Sequence, residues 1–517
     1  MTVLHREVER TYAAADDATL PSLAALVAGA DGALPDPGTP ATESGGTLHL
    51  AATYFDTADL RLAAAGLTLR RRTGGHDAGW HLKVPAGPDA RTEVRFPLGR
   101  AVRTVPAPLR ALVRARAGGA VLRPVAEVTT ERHEHRLVDA SGRVLLELAD
   151  DRVTARRVLP AGGSGDALGA VQSWREVEAE VVDGPEELLD VVDRALRAAG
   201  LRPADVQSKL ARVLGTGLGE PRDEPARLRR SSPAGEVLRA YLAGQVEQVL
   251  AQDLAVRLGT PDAVHQMRVA TRRLRSALRT FAPLLDTTVT GPLRDELRWL
   301  ARDLGTVRDA EVLRDRVRAA AVAAGPLVDA GPDELEDDRR AAHDRVLAEL
   351  DGERYHHLVV ALAALAASPP LRARAAAPAR TTLPRLVARR DPRARRLLKR
   401  ARRAPAGPER DRVLHEARKA AKAARYAGEA VRPALGKQAA AYARALEAVQ
   451  EVLGEHQDAV ITRERLRELA RRTASTEAAF RYGRLHALEE ERAEQAQQRI
   501  RPTWKAARGA GLRRWLR

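Results

Sequence analysis

The sequence predicts an α+β chain in two parts, an antiparallel β domain followed by an all-α domain. Three observations carry this reading. Apolar and polar residues alternate with period two in several stretches of residues 1–214. Residues 215–232, GTGLGEPRDEPARLRRSS, combine Gly, Pro and charge with no apolar period and read as a linker. From Pro233 onward apolar residues recur at helical spacing, and Pro and Gly fall mainly between the periodic segments.

In chain order, the strands expected in the first part are TLRRRT (68–73), GWHLKVP (79–85), RTEVRFPL (91–98), RVLLELADDRV (143–153) and SWREVEAEVV (173–182). Turn-prone stretches such as TGGHDAG and PAGPDA separate them. Helical patterns intervene at Ser22–Ala28, Ala107–Ala115 and Pro185–Ala199. The Pro-, Arg- and Ala-rich stretch around Ala366–Pro408 reads as a connection between two helical bundles.

Composition narrows the partners. Of 517 residues, 44% are hydrophobic but only 3% aromatic, so cores are built from Ala, Leu and Val. The net charge is +17, and its excess is confined to one part: residues 231–517 hold 55 Lys and Arg against 37 Asp and Glu, and residues 1–230 hold 31 against 32. That asymmetry points to a polyanionic partner for the helical part. The absence of cysteine excludes disulfides and thiolate metal sites. A charged N-terminus and no long apolar run lead to the expectation of a cytoplasmic protein with no membrane partner.

The helical part repeats itself. In VHQMRVATRRLRSALRTF (264–281), His265 is followed by Arg268, Arg272, Arg275 and Arg279 on one helical face. In LHEARKAAKAARYAGEAV (414–431), His415, Arg418, Lys422 and Arg425 repeat the first four offsets. LGTVRDAEV follows the first stripe and LGEHQDAVI the second, placing Asp309 and Asp458 at equivalent positions. This is an internal duplication. Each copy is long enough for a four-helix unit, and a pseudo-twofold arrangement would bring the two basic helices together. One reading is a solvated helix face. Against it, no Asp or Glu occurs from Met267 through Pro283, so the arginines repel one another unless an anion lies along them. A row of guanidinium and ammonium groups about 15 Å long suits a linear chain of phosphates.

His-x-x-Arg-x-x-x-Arg followed by Leu-Gly-x-x-x-Asp, twice, resembles the CHAD domain (conserved histidine α-helical domain) over residues 232–510. The resemblance implies a duplicated helical fold, two four-helix bundles over residues 233–510, that binds inorganic polyphosphate. Carried over by position, the binding set is His265, Arg268, Arg272, Arg273, Arg275, His415, Arg418, Lys419, Lys422 and Arg425, with Tyr426 flanking the second stripe. Asp309 and Asp458 would orient these bases, and Arg308 and His456 would be binding or structural. Such a protein would associate with polyphosphate granules. Sequence-specific nucleic-acid binding is not expected, since aromatics for base stacking are scarce and no groove-reading motif occurs.

In the β part, ionisable residues alternate with apolar ones: Glu7 with Glu9, Arg70 with Arg72, His81 with Lys83, Arg91 with Glu93 and Arg95, Glu147 with Asp151, and Glu176 with Glu178 and Glu180. A sheet with one wet face alternates in this way. Carboxylates nevertheless cluster on some strands and bases on others, as a closed barrel with an ionic interior would require. EVERT (7–11), YFDTADLRLAAAGLTLRRRT (54–73), WHLKVP, RTEVRFP, WREVEAEV (174–181) and SKLARVL (208–214) resemble the CYTH superfamily of triphosphate tunnel enzymes over residues 3–214. The resemblance implies an eight-stranded antiparallel tunnel that binds triphosphate and Mg²⁺ or Mn²⁺, with triphosphate hydrolysis or adenylyl cyclisation among its activities. By position, Glu7, Glu9, Asp151, Glu176 and Glu178 would hold metal or activate water. Arg70, Arg72, Lys83, Arg95, Arg132 and Lys209 would clamp phosphates, and Glu93 would brace them. Glu7, Glu9, Lys83, Arg70 and Arg72 form the catalytic set. The signature lysine is Thr11 here, and a base is also expected where Thr129 stands. The expected protein is a metal-dependent triphosphatase fused to a polyphosphate-binding module. The alternative is a non-catalytic polyphosphate binder with a degraded tunnel.

Overall fold

The computed structural model describes residues 3–23, 41–87, 89–100, 102–159, 167–206, 208–215, 227–323 and 333–517. It comprises two compact units, residues 1–223 and 224–517. The helix expected over Ser22–Ala28 and the linker expected over 215–232 lie largely outside the described residues.

The first unit is an antiparallel barrel. Its strands are β1 Val3–Ala14, β2 Ala41–Asp56, β3 Thr68–Thr73, β4 Gly79–Pro85, β5 Ala90–Phe96, β6 Arg123–Val138, β7 Val144–Leu159 and β8 Ala167–Val181. Their order is β5-β4-β3-β2-β6-β7-β8-β1, and β1 returns to pair with β5, which closes the tunnel and removes its edges. A two-residue strand, β9 (Arg202–Pro203), adds to β1 beside Tyr12 and Ala13.

Alternation along the strands then sorts side chains. Glu7 and Glu9 line the interior, whereas Val8 and Tyr12 face outward into an apolar layer with Leu146, Leu148, Val177 and Ala179. That layer is covered by Leu188, Leu189, Val192 and Leu196 of helix α2 (Leu188–Ala198), which follows α1 (Ala107–Ala117). Helix α3 (Lys209–Leu214) starts at Ser208, whose Oγ accepts the Ala211 N–H at 3.2 Å. Its Leu210, Val213 and Leu214 meet Tyr54, Val128, Val153 and Trp174, so one end of the tunnel is apolar and plugged. The ionic residues occupy the remainder.

The second unit is helical: α4 Ala234–Arg257, α5 Ala263–Thr280, α6 Thr287–Ala323, α7 Asp333–Asp351, α8 Glu353–Ala367, α9 Ala379–Ala388, α10 Asp391–Arg403, α11 Pro408–Leu435, α12 Lys437–Arg472, α13 Thr476–Ala507 and the short α14 Ala510–Arg513. Helices α4 to α7 neighbour one another consecutively, and so do α10 to α13. These are the two copies of the duplication, with α8 and α9 between them. The stretch expected as a connector thus holds α9 and α10; Pro378, Pro392 and Pro408 fall at helix starts and Pro384 inside α9, which hid the helical period. The basic helices α5 and α11 lie against each other. No described helix is long and apolar enough to cross a membrane.

After β2 the chain turns around a buried carboxylate. Asp56 is fully buried and accepts three backbone N–H groups, from Thr57 at 2.6 Å, Leu62 at 2.9 Å and Ala63 at 2.9 Å. It thereby holds the loop into β3, where the positive φ of Leu60 and Gly66 lets the chain reverse twice. Asp56→Ala leaves these donors unpaired and is expected to cost about 2–4 kcal/mol. Asp56→Asn, which keeps an acceptor, is expected to cost less. Urea unfolding followed by tryptophan fluorescence measures both; equal stability of Asp56→Ala and the natural chain would contradict this role.

Candidate functional site

The tunnel encloses a cavity of about 330 Å³ lined from every wall by ionisable side chains. On one wall Lys83 Nζ lies 2.7 Å from Glu7 Oε2 and 3.6 Å from Glu9 Oε2. Closure of β1 on β5 brings Arg95 to 3.6 Å from Glu7 and Arg91 to 3.5 Å from Glu9. Glu93, fully buried, receives His81 Nδ1 at 2.8 Å and pairs with Arg95, with Arg70 at 3.9 Å. Burial opposes its charge, but His81, Lys83 and Arg70 hold its carboxyl far below the usual carboxylate range. Burial lowers His81 to about 4; its Nδ1 lies 2.8 Å from Glu93 and its Nε2 2.9 Å from the Asp77 carbonyl, and a neutral ring donates to one of these two acceptors. Arg72 pairs with Asp77, yet burial and the neighbouring Arg70 and Arg132 lower its guanidinium to about 9.

The opposite wall carries a carboxylate trio. Ligand oxygens of Asp151, Glu176 and Glu178 lie within 4.8 Å of one another. Arg132 grips Asp151 with two bonds of 2.8 Å and reaches Glu178 at 2.6 Å. Lys209 Nζ sits among all three, at 2.9 Å from Asp151, 2.7 Å from Glu176 and 2.5 Å from Glu178. Burial disfavours that ammonium, but the carboxylates outweigh it and raise its pKa well above the ordinary value. Three hard oxygen donors around one cation fit a divalent metal, and the ammonium stands where such an ion would. Further along, burial and the carboxylates of Glu7 and Glu9 push Glu180 up to about 8. Burial likewise raises Glu7.

The structure divides the five carboxylates assigned to metal: Asp151, Glu176 and Glu178 converge, while Glu7 and Glu9 face Lys83. Thr11 is buried on the inward face and is the register partner of Glu178. Thr129 is different. It points out to solvent, its Oγ1 on the Thr154 carbonyl, and the inward residue is its neighbour Thr130. Adjacent strand residues take opposite faces, so no base is missing at 129.

In the helical unit a groove of about 420 Å³ runs between α5 and α11. Its walls include His265, Arg268, Arg272 and Arg275 from one helix and His415, Arg418, Lys419 and Lys422 from the other. The Leu-Gly-x-x-x-Asp motif acquires a physical meaning here. Leu304 and Leu453 are buried. Gly305 and Gly454 let guanidinium groups cross the helix: a Cβ on Gly305 would stand 3.4 Å from Arg268 Nη2, and one on Gly454 would stand 3.3 Å from Arg418 Nη2. Asp309 then receives Arg268 Nη1 at 3.4 Å. Among the described residues, Nε of Arg268 and of Arg418 and Nδ1 of His415 are buried without a hydrogen-bond partner. Burial and the arginines Arg272, Arg418, Arg425 and Arg268 lower Lys422 to about 6. Burial, with Arg268, Arg418 and Arg275 nearby, lowers Arg272 to about 10. Burial also lowers both His265 and His415.

Two of the ten expected residues do not line the groove. Arg273 lies 3.1 Å from Glu429 and over the Tyr426 ring. Arg425 pairs with Glu447 and, at 3.3 Å, with Glu429. Lys419 lines it but also meets Glu416 at 2.8 Å. Arg308 lines the groove, whereas His456 is buried beside Asp411 at 3.4 Å. Arg298 and Arg302 line it as well. They were missed because they precede the Leu-Gly motif rather than lie on a stripe; their i,i+4 spacing on α6 was the available signal.

If the trio is a cation site, Lys209→Ala leaves Glu176 without its cation and Asp151 and Glu178 sharing Arg132 alone. It is expected to destabilise the tunnel unit by about 3–5 kcal/mol in chelator and to recover with Mn²⁺ or Mg²⁺, read as a shift in melting temperature. Adding Glu176→Gln and Glu178→Gln should remove the recovery. A metal-independent melting temperature in Lys209→Ala would show that the trio takes no ion.

Comparison with known proteins agrees with this architecture. The CYTH domain family matches residues 41–212 and the CHAD domain family residues 240–467. The uncharacterized proteins Rv2226 and MT2285 of Mycobacterium tuberculosis are each 39% identical over 514 residues, covering 96% of this chain and 95% of theirs. Among solved structures, PptA from Streptomyces chartreusis is 25% identical with a TM-score of 0.43, covering 53% of this chain and 100% of its own. The CHAD domain from the plant Ricinus communis is 28% identical with a TM-score of 0.43, covering 55% of this chain and 95% of its own. The chain therefore belongs to one family with the two mycobacterial proteins, and it joins a CYTH domain of triphosphate-tunnel fold to a CHAD domain.

Proposed function

We propose that the tunnel unit hydrolyses inorganic tripolyphosphate or another triphosphate with Mg²⁺ or Mn²⁺, and that the helical unit binds inorganic polyphosphate. The observation that carries the first part is one cavity lined by Arg70, Arg72, Lys83, Arg132, Lys209 and Glu178, with Asp151 and Glu176 buried beside Glu178 and paired with Lys209. A triphosphate is recognised by the bases. The trio would hold the metal, which when bound neutralises charge on the phosphoryl oxygens. Water adds to the terminal phosphorus as the bridging P–O bond breaks, and phosphate and a diphosphate leave. Glu180, which keeps its proton up to about 8, donates a hydrogen bond to the phosphates rather than acting as a base. Glu9, which pairs with Lys83 and Arg91, would orient the water.

Hydrolysis is expected with Mg²⁺ or Mn²⁺, to be absent in chelator, and to fall by at least about a hundredfold in Glu7→Gln with Glu9→Gln; released phosphate measures it. A second reading, a tunnel that only binds, is favoured by Thr11, which puts a hydroxyl where the signature has a base, and by Lys209, which fills the trio. A chain with no phosphate release under any metal, yet with a measurable triphosphate affinity, would establish that reading.

For the helical unit, support comes from cations crowded around the groove with few acids among them. Arg272→Glu with Lys422→Glu is expected nearly to abolish polyphosphate binding, and Arg463→Glu with Arg465→Glu, off the groove, to cost little. Duplex DNA should compete poorly. Binding should also take up protons. The pKa of Lys422 is depressed to about 6 in the free groove, and a bound polyanion raises it. Affinity therefore rises as pH falls toward 6, with His265 and His415 contributing in the same direction. Lys422→Arg, which stays charged, is expected to show a flatter pH profile in titrations between pH 5.5 and 8.5. Equal slopes would exclude Lys422 as the titrating group.

A further inference from the structure

The two copies are alike at the centre of the groove and unlike at its ends. At the centre, lining residues answer to one another: Arg308 and Asp309 to Gln457 and Asp458, and Val312 to Ile461. Beyond it the correspondence breaks. Arg275, Arg298 and Arg302 line the groove from the first copy. Their counterparts are Arg425, 150 positions on from Arg275, and Glu447 and Glu451, 149 positions on from Arg298 and Arg302; none of the three lines the groove. Arg279, exposed on the next turn after Arg275, answers to Glu429.

The chemistry at the two ends is therefore opposite. In the second copy, Arg425 is neutralised by Glu429 and Glu447, which ends the cationic stripe. In the first copy, burial and then repulsion from Arg298 and Arg279 lower the pKa of Arg275, and among the described residues no acid pairs with it. Arg298 does meet Asp295 at 3.1 Å, and Arg302 meets Asp303 at 3.5 Å. The Arg298 and Arg302 side chains are 63% and 73% exposed, and pairs of this kind contribute little and exchange readily. Their charge remains available to a ligand.

We propose that the groove is a one-ended track: a linear polyphosphate is held at the centre and runs out over Arg275, Arg279, Arg298 and Arg302, while Glu429, Glu447 and Glu451 repel it at the symmetry-related end. This rests on the reading of the groove as a polyphosphate site. It extends that reading to chain length, because only a chain longer than the central stretch of the groove reaches the extension.

The test uses the full chain in chelator, titrated with a short polyphosphate sized to the roughly 10 Å from His265 to Arg272 and with a long-chain polyphosphate. For Arg298→Gln with Arg302→Gln, affinity for the short chain is expected to fall much less than affinity for the long chain. For the long chain, the slope of log K against log salt is expected to fall by about 1.4, the counter-ion release of two lost phosphate contacts on a single strand. Arg395→Gln with Arg396→Gln, exposed residues outside the groove with the same charge change, is the control and should leave both slopes alone. Glu451→Arg is expected to strengthen long-chain binding selectively. Equal weakening of short and long chains, or an equal effect of the control pair, would overturn the one-ended track while leaving the groove a binding site. Failure of the natural chain to bind the short polyphosphate would instead overturn the underlying reading.

Discussion

A buried charge persists only beside its opposite, and this constraint arranges the tunnel from the inside. Each carboxylate of the trio faces Lys209 or Arg132, and Glu93 is held by His81, Arg70 and Arg95. These pairings join β1 to β4 and β5, and β6 to β7 and β8, so the ionic interior depends on barrel closure as much as on the hydrogen-bond ladder. The apolar work is done elsewhere. Leucines and valines that alternate with the charges form the outer layer under α2, and apolar residues further along the inward face, such as Val153 beyond Asp151 and Trp174 before Glu176, meet the plug of α3. One alternation thus supplies both a charged site and the hydrophobic burial that stabilises it.

The groove in the helical unit obeys the opposite arrangement. Cations from α5 and α11 are brought together with few acids among them, and the consequence is visible in Lys422, whose ammonium is the easiest of them to neutralise. The cost is met by packing around the groove: Leu414, Ala417 and Ala421 on the inner side of α11 join Val449 and Leu453 of α12 in a continuous core. Small residues are required there. Ala417 and Ala421 keep the helices close, and Gly305 and Gly454 leave room for the guanidinium groups that cross them. The motif that looked like a signature is therefore a steric and electrostatic unit: a buried leucine to anchor, a glycine to admit an arginine, and an aspartate one turn later near its charge.

Much of this was legible because side-chain periodicity survives folding. The bounds of β3 and β4 follow the alternation of TLRRRT and GWHLKVP residue for residue, and of the residues that alternation placed on shared faces, Glu7, Glu9, Arg70, Arg72, Lys83, Glu178 and Glu180 line the cavity. What alternation does not settle is which neighbour of an ambiguous pair points inward: Thr129 and Thr130 are chemically identical, and only the register with Val153 and Thr154 separates them. Nor does it tell a cation that binds substrate from one that binds protein. Lys209 carries the charge expected of a phosphate clamp, but three carboxylates brought in from β7 and β8 surround it. On the helices, Arg273 and Arg425 had the right charge at acceptable spacing. Their partner Glu429 lies on α11 and reaches Arg273 only across the crossing of α5 and α11.

That crossing shows how a duplicated chain departs from symmetry. Arg273 of α5 meets Glu429 of α11, and the ring of Tyr426 lies under both Arg273 and Arg425. By position, the counterpart of Arg273 is Ala423, and the counterpart of Glu429 is Arg279. The reciprocal contact would therefore set an alanine against an arginine, with no ion pair to make. Two identical subunits about a true twofold could not differ in this way, since any residue at one contact would recur at the other. Fusion of the two copies into one chain removes the requirement. One side of the crossing can then hold the copies together through Arg273, Arg425, Glu429 and Glu447, and the other can leave Arg275 and Arg279 uncompensated. The pairing that fixes the crossing and the exposed positive charge beside the groove are consequences of the same divergence.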